Sequence, residues 1–109
     1  MNRTVIWCCA DTQDGTRRQK EHVNLYAEQE SLQVVKTISE VGKLDYFSIG
    51  VIHRRAKYKE YDLLLIEGLE VMDFSADVLT KEVRYLNTNR VKVFSLNDGE
   101  ITVNTLPLC

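Results

Sequence analysis

Tyr61-Asp62-Leu63-Leu64-Leu65-Ile66-Glu67-Gly68 decides the fold. Its run of aliphatic residues shows neither polar alternation nor a 3.6-residue period, so both faces must be buried, as in an interior strand of a sheet covered on two sides. Glu67-Gly68 ends it. Upstream, Thr4-Val5-Ile6-Trp7-Cys8-Cys9-Ala10 has the same β-branched and aromatic character and stops at the polar loop Asp11-Thr12-Gln13-Asp14-Gly15-Thr16. Downstream, Val91-Lys92-Val93-Phe94-Ser95-Leu96 reads as another strand, closed by the turn signal Asn97-Asp98-Gly99.

Between these strands the apolar residues follow a helical period. Val23, Tyr26 and Ala27 recur at spacings of three and four within residues 16–31, amid Arg, Lys, Glu and Gln. Phe47, Val51, Ile52 and Ala56 mark one face of a helix reaching about Tyr58, with His53, Arg54, Arg55 and Lys57 largely on its other side. Ser75 is a good N-cap for a third helix, continued by Val78, Leu79, Val83 and Leu86 toward Asn87-Thr88-Asn89. Leu32 to Ser39 alternates as a strand that Val41-Gly42-Lys43 breaks, and Ile101-Thr102-Val103 suits a last antiparallel strand at an edge.

Strands alternating with helices imply right-handed crossovers and a mostly parallel sheet. The expected fold class is α/β: a three-layer domain with a four- to five-stranded sheet, residues 4–10 central, residues 61–66 beside them and helices on both faces. Functional groups in such sheets gather at the carboxyl ends of the strands, here the loops at residues 10–16, 39–45, 67–75 and 96–99.

The chain has 109 residues, 44% of them hydrophobic and 28% charged, with one Pro and five Gly. That is one ordinary globular domain. Fourteen Lys/Arg against sixteen Asp/Glu leave a net charge of −2, so no whole-molecule positive field draws the chain to nucleic acid or anionic lipid. No apolar run approaches the ~20 residues of a membrane span, and the amino terminus meets polar residues too soon for a signal peptide. The expected location is cytoplasmic, without membrane contact.

The sites that composition and spacing offer are weak. Three cysteines, two of them neighbours, do not make a disulfide framework, and no Cys-x-x-Cys or His-x-x-x-His spacing supports zinc. Cys8 and Cys9 read as small core groups, Cys9 being the better candidate for a reactive thiol. Asp11, Asp14, Glu67 and Glu70 bear the oxygens a hard cation would take, but Asp11 reads better as a cap for the following turn or helix and the others as solvated. Arg54, Arg55, Lys57 and Lys59, with Arg17, Arg18 and Lys20, read as solvated helix faces because acidic residues interleave with them. Trp7, Tyr26, Phe47, Tyr58 and Phe94 read as packing residues. Without a glycine-rich phosphate loop, no cofactor, metal or small-molecule ligand is expected.

Taken together, the segments resemble the amino-terminal catalytic domain of serine recombinases, the resolvase/invertase group. Ile6-Trp7-Cys8-Cys9-Ala10-Asp11-Thr12 falls where that family has Tyr-Ala-Arg-Val-Ser-Thr. Tyr61 to Glu70 resembles its Phe-Asp-x-Leu-Leu-Val-x-x-Leu-Asp, and Arg90 to Gly99 resembles its Gly-Val-x-Val-x-Ser-x-x-Asp-Gly. The likeness spans about residues 4–104 and implies a resolvase-like, flavodoxin-like topology.

The departures from that pattern bear on function. The family attacks a DNA phosphodiester with a Ser, while several Arg side chains stabilise the phosphoryl charge. By the resemblance, the nucleophile position holds Asp11, the Arg positions hold Cys9, Val71, Phe74 and Tyr46, and Gln19 and Glu70 retain polar positions. Carboxylate attack would bring two anions together without offsetting cations, and losing one charge-stabilising donor alone commonly costs ~10²–10³ in rate.

The expectation is therefore a single resolvase-like domain over residues 1–109 with no C-terminal DNA-binding domain and no catalytic residues. It binds DNA weakly or not at all by itself and serves as an interaction or regulatory module associated with DNA recombination. The competing expectation is an active recombinase domain whose missing parts come from a partner or a longer chain. Without the family's long following helix, Val78, Val83, Leu86 and the tail Leu106-Pro107-Leu108 would also need cover, which points to a homo-oligomer or a recombinase partner.

Overall fold

The computed structural model describes residues 3–42, 46–71 and 76–104. Along the chain run β1 (Arg3–Ala10), α1 (Gln13–Gln29), β2 (Gln33–Val41), α2 (Tyr46–Lys57), β3 (Leu63–Ile66), a 3-10 turn at Leu69–Val71, α3 (Ala76–Thr88), β4 (Lys92–Ser95) and β5 (Gly99–Ile101). The strands form one sheet in the order β2-β1-β3-β4-β5, parallel except for the β4–β5 pair. The expected α/β architecture is present. β3 occupies the middle of the sheet and β1, predicted as central, lies next to it with β2 outside.

The two buried runs become interior strands for the reason their sequences give. Leu63 to Ile66 and Val5 to Cys9 are all buried, and alternate residues enter two separate cores. On one face Val5, Trp7, Cys9, Leu64, Ile66 and Val93 meet Val51, Ile52 and Ala56 of α2 and Val83 and Leu86 of α3. On the other, Ile6, Cys8 and Leu65 meet Val23 and Ala27 of α1, beside the stacked rings of Tyr26 and Phe94, 5.6 Å apart.

Several boundaries differ from expectation. Thr12, and not Asp11, is the N-cap of α1: its Oγ1 accepts from the Gly15 N–H at 3.0 Å. Gly15 fits closely there, since a Cβ would lie 3.0 Å from Thr12 Oγ1 and 3.1 Å from the Ala10 Cβ and these side chains would have to give by a few tenths of an ångström. β5 starts at Gly99, two residues before the predicted strand, since Gly99 at φ 84° both completes the turn and pairs with Ser95.

Tyr58, expected to pack, is 64% exposed because α2 ends at Lys57, whose Nζ lies 5.8 Å from the Tyr58 ring centroid. Val83 and Leu86 are buried in the chain's own core, which removes most of the expected need to cover α3, although Val78 is exposed. Ser75 and the tail Leu106-Pro107-Leu108 lie outside the described residues. No helix among the described residues is long and apolar enough to cross a membrane.

Candidate functional site

The carboxyl ends of the parallel strands β1, β3 and β4 lie on one rim of the sheet, and α1 starts directly beyond that of β1. β1 runs past β3: their ladder ends at Ile6–Leu65, whereas β1 continues to Ala10. Ala10 turns its backbone toward β2, where its carbonyl accepts from Gly42 N–H at 2.7 Å, so Cys9 turns the other way, beyond the end of the β3 ladder. Gln19 fills that gap. Its Oε1 accepts from Cys9 N–H and its Nε2 donates to the Cys9 carbonyl, both at 3.0 Å.

Thr16, one turn earlier, does the same for the other side of the strand. Its Oγ1 accepts from Ala10 N–H at 3.1 Å and donates to the Glu40 carbonyl at 2.7 Å, tying α1, β1 and β2 together. Both side chains are buried.

Around this frame the predicted site residues separate. Asp11 is exposed at the strand's end, whereas Cys9 is buried among the α2–α3 core residues. Val71 is fully buried in the same core, and its N–H donates to the Gly68 carbonyl at 3.1 Å. Tyr46 is the first residue of α2, and Glu70 is the middle residue of the 3-10 turn. Phe74 lies outside the described residues. The four positions that the resemblance equates with arginines therefore include two core positions, Cys9 and Val71.

Cys8 faces the α1 side. Burial, with the Glu67 carboxylate adding to it and Lys20 opposing it, pushes its thiol up to about 11, so at neutral pH it is a protonated, apolar group. Glu67 also binds His22, at 2.9 Å between Oε2 and Nδ1. Asp14 pairs with Arg17 at 2.7 Å instead of turning to Asp11 or Glu67. No group of three or more His, Cys, Asp and Glu able to hold a metal occurs among the described residues.

The rim of β4 is locked by Ser95 and Asp98. Ser95 Oγ donates to Asp98 Oδ2 at 2.7 Å and accepts from the Asp98 N–H at 3.2 Å, while Leu96 and Asn97 N–H groups donate to the Ile66 and Glu67 carbonyls at 3.0 Å. Sequence reasoning missed Thr16, Ser95 and the two histidine–glutamate pairs, His22–Glu67 and His53–Glu82. The Ser-x-x-Asp spacing of an Asx or ST turn was a local signal for Ser95 and Asp98. The histidine pairs span 45 and 29 residues and leave no local signal. His53, expected on the outer side of α2, is half-buried against Tyr85 and Glu82 of α3.

The basic residues do not form one surface. Arg17, Arg18 and Lys20 ride on α1 on one face of the sheet, while Arg54, Arg55 and Lys57 ride on α2 on the other. Arg55 is further occupied by Glu60 at 3.1 Å.

No family model and no curated protein matches the chain. Solved structures do. The N-terminal catalytic domain of TP901-1 integrase aligns with a TM-score of 0.78 at 20% identity, over 89% of this chain and 78% of that one. A resolvase family site-specific recombinase from Streptococcus pneumoniae aligns with a TM-score of 0.80 at 13% identity, over 91% of this chain and 74% of that one. The C-terminal catalytic domain of ISC1926 TnpA, an IS607-like serine recombinase, gives 0.73 at 18% identity, over 86% and 67%. With the strand order, the antiparallel β4–β5 pair and the three helices of its described residues, this chain has the fold of the serine-recombinase catalytic domain.

Proposed function

We propose that this chain is a non-catalytic serine-recombinase-like module, acting in the cytoplasm as an interaction or regulatory protein in DNA recombination. The observation that carries this reading is the burial of Val71: the position that the resemblance equates with a charge-stabilising arginine is part of the hydrophobic core, where a guanidinium has no place. Asp11 at the nucleophile position and Cys9 in the core support it, because neither supplies a serine-type attack nor positive charge for a phosphoryl oxygen. A partner carrying the recombinase fold, or DNA bound by such a partner, fits the module better than free duplex, given the −2 net charge and the separation of its basic residues onto two faces.

The test is incubation with supercoiled DNA carrying candidate recombination sites, followed by denaturing capture of covalent complexes and mapping of any adduct. No covalent protein–DNA species is expected, and duplex affinity at physiological salt should be weaker than micromolar. An adduct at Asp11, Thr12 or a serine would instead establish an active recombinase domain.

A further inference from the structure

β2 is an outer strand, paired on one side by β1. A bulge sets Val35 out of the ladder, so the regular stretch opposes Lys36–Val41 to Val5–Ala10. Because Gly42 N–H donates to the Ala10 carbonyl, the even-numbered residues of this stretch turn their backbone groups to β1. Thr37 and Ser39 turn theirs outward. The strand's outer side carries no proline, and Val41 is 53% exposed.

Edge strands are usually guarded by charged side chains, prolines or bulges, and a second strand would have to desolvate the charges unless they were paired. Here Lys36 and Glu40 stand four residues apart on the same side of the strand as Ile38, in register with Val5, Cys9 and Trp7. At ~3.3 Å per residue they are about 13 Å apart along the strand, too far to neutralise each other within one chain. Across a two-fold axis at Ile38, however, Lys36 of one strand lies opposite Glu40 of another.

Regular antiparallel pairing of two identical strands requires opposed residues to have the same backbone orientation, which restricts the axis to a residue centre. An axis at Lys36 opposes two lysines, and one at Glu40 opposes two glutamates. An axis at Thr37 or Ser39 leaves both charges facing uncharged residues. Only Ile38, among residues 36–40, matches the charges. At that centre Lys36 and Glu40 fall in non-hydrogen-bonded pairs, where side chains approach most closely, while Thr37 and Ser39 exchange the backbone bonds. Within the chain, Glu40 Oε1 accepts a hydrogen bond from the Ser48 hydroxyl of α2, which leaves Oε2 for a cross-strand lysine.

We propose that β2 is a self-association edge: two copies of this chain pair antiparallel about Ile38, joining their sheets through reciprocal Lys36–Glu40 contacts. The pairing uses the outer side of β2, whose far end adjoins the Thr16–Glu40 contact, and it does not depend on whether the chain is catalytic.

Light scattering and sedimentation of the full chain, over micromolar to millimolar concentration, test it with three variants. Thr37→Pro removes an outward N–H that β1 does not use, so it should abolish the dimer while circular dichroism and the thermal midpoint report an intact fold. Lys36→Glu should weaken dimerisation by about tenfold or more, since two attractive cross-strand pairs become repulsive. The charge swap Lys36→Glu with Glu40→Lys should restore it. A chain that is monomeric at every concentration, or a dimer indifferent to Thr37→Pro and to the charge reversal, overturns the proposal. A dimer that Lys36→Glu weakens but the swap does not restore overturns the Ile38-centred register.

Discussion

The Gln19 amide and the Cys9 peptide groups are reciprocally hydrogen-bonded, Oε1 accepting from N–H and Nε2 donating to C=O, each at 3.0 Å. A side chain on α1 thereby does for the end of β1 what a neighbouring strand does for its beginning. Its removal leaves a buried donor and a buried acceptor to find other partners, and each such loss costs ~1–3 kcal/mol. Gln19→Ala is therefore expected to lower unfolding stability by about 2–6 kcal/mol, read from the urea midpoint at unchanged slope. Gln19→Glu keeps the acceptor, loses the donor and buries a carboxylate, so it should not rescue the loss.

Alkaline pH should weaken the fold through Cys8. Its thiol is raised from 9.0 to about 11, mainly by burial, so the folded chain holds this proton more tightly than the unfolded chain. The associated stability is complete below about pH 9 and is lost as pH rises toward 11, a change on the order of 2 kcal/mol for that shift. Tyr61, whose buried hydroxyl donates to the Ile52 carbonyl at 2.9 Å, is raised as well and adds a loss of the same sign at higher pH. Urea midpoints measured near pH 8 and near pH 10.5 should diverge less in Cys8→Ala than in the unaltered chain. Equal divergence would mean that Cys8 titrates normally.

The parts of this molecule visible in its sequence are those fixed by burial alone. Leu63 to Ile66 and Val5 to Cys9 are buried on both faces, and a run that is apolar throughout announces that directly. The spacing of Val51, Ile52 and Ala56 likewise fixes the core face of α2.

What local sequence could not distinguish were neighbours with equal competence. Asp11 and Thr12 can each cap a helix, and the choice is made by where Ala10 leaves the sheet. Tyr58 has the chemistry of a core residue and the position of a helix end. The candidate positions Cys9, Asp11 and Val71 come from the family resemblance, and their geometry could not be read from it. The depth of Val71 depends on how a 3-10 turn packs against β1, and the partners of His22 and His53 are set by contacts between elements far apart in sequence.

His53 and Glu82 should couple α2 to α3 energetically. The imidazole Nε2 meets Glu82 Oε2, and its ring lies 4.6 Å from that of Tyr85, with both members of the pair mostly shielded from water. A double-mutant cycle on His53→Ala and Glu82→Ala is expected to return a coupling of about 0.5–1.5 kcal/mol near neutral pH. A coupling indistinguishable from zero would mean that the two helices are held by their apolar contacts alone.

Val71→Arg puts the reading of the degenerate site to its most direct test. If Val71 marks a vacant arginine site, the guanidinium reaches the rim near Asp11 and Glu67, and the chain folds as before. In the structure the position is instead enclosed, fully buried with Trp7, Ile66 and Val83 in one core cluster. An unpaired cation there must either stay desolvated or force the 3-10 turn away from the sheet, and either course costs several kcal/mol. The expected outcome is a loss of more than about 3 kcal/mol in denaturant unfolding, or loss of the cooperative transition, whereas Val71→Ala should cost only about 1–3 kcal/mol through its cavity. Wild-type stability in Val71→Arg, especially with a gain in DNA affinity, would show that the arginine position remains open to the rim.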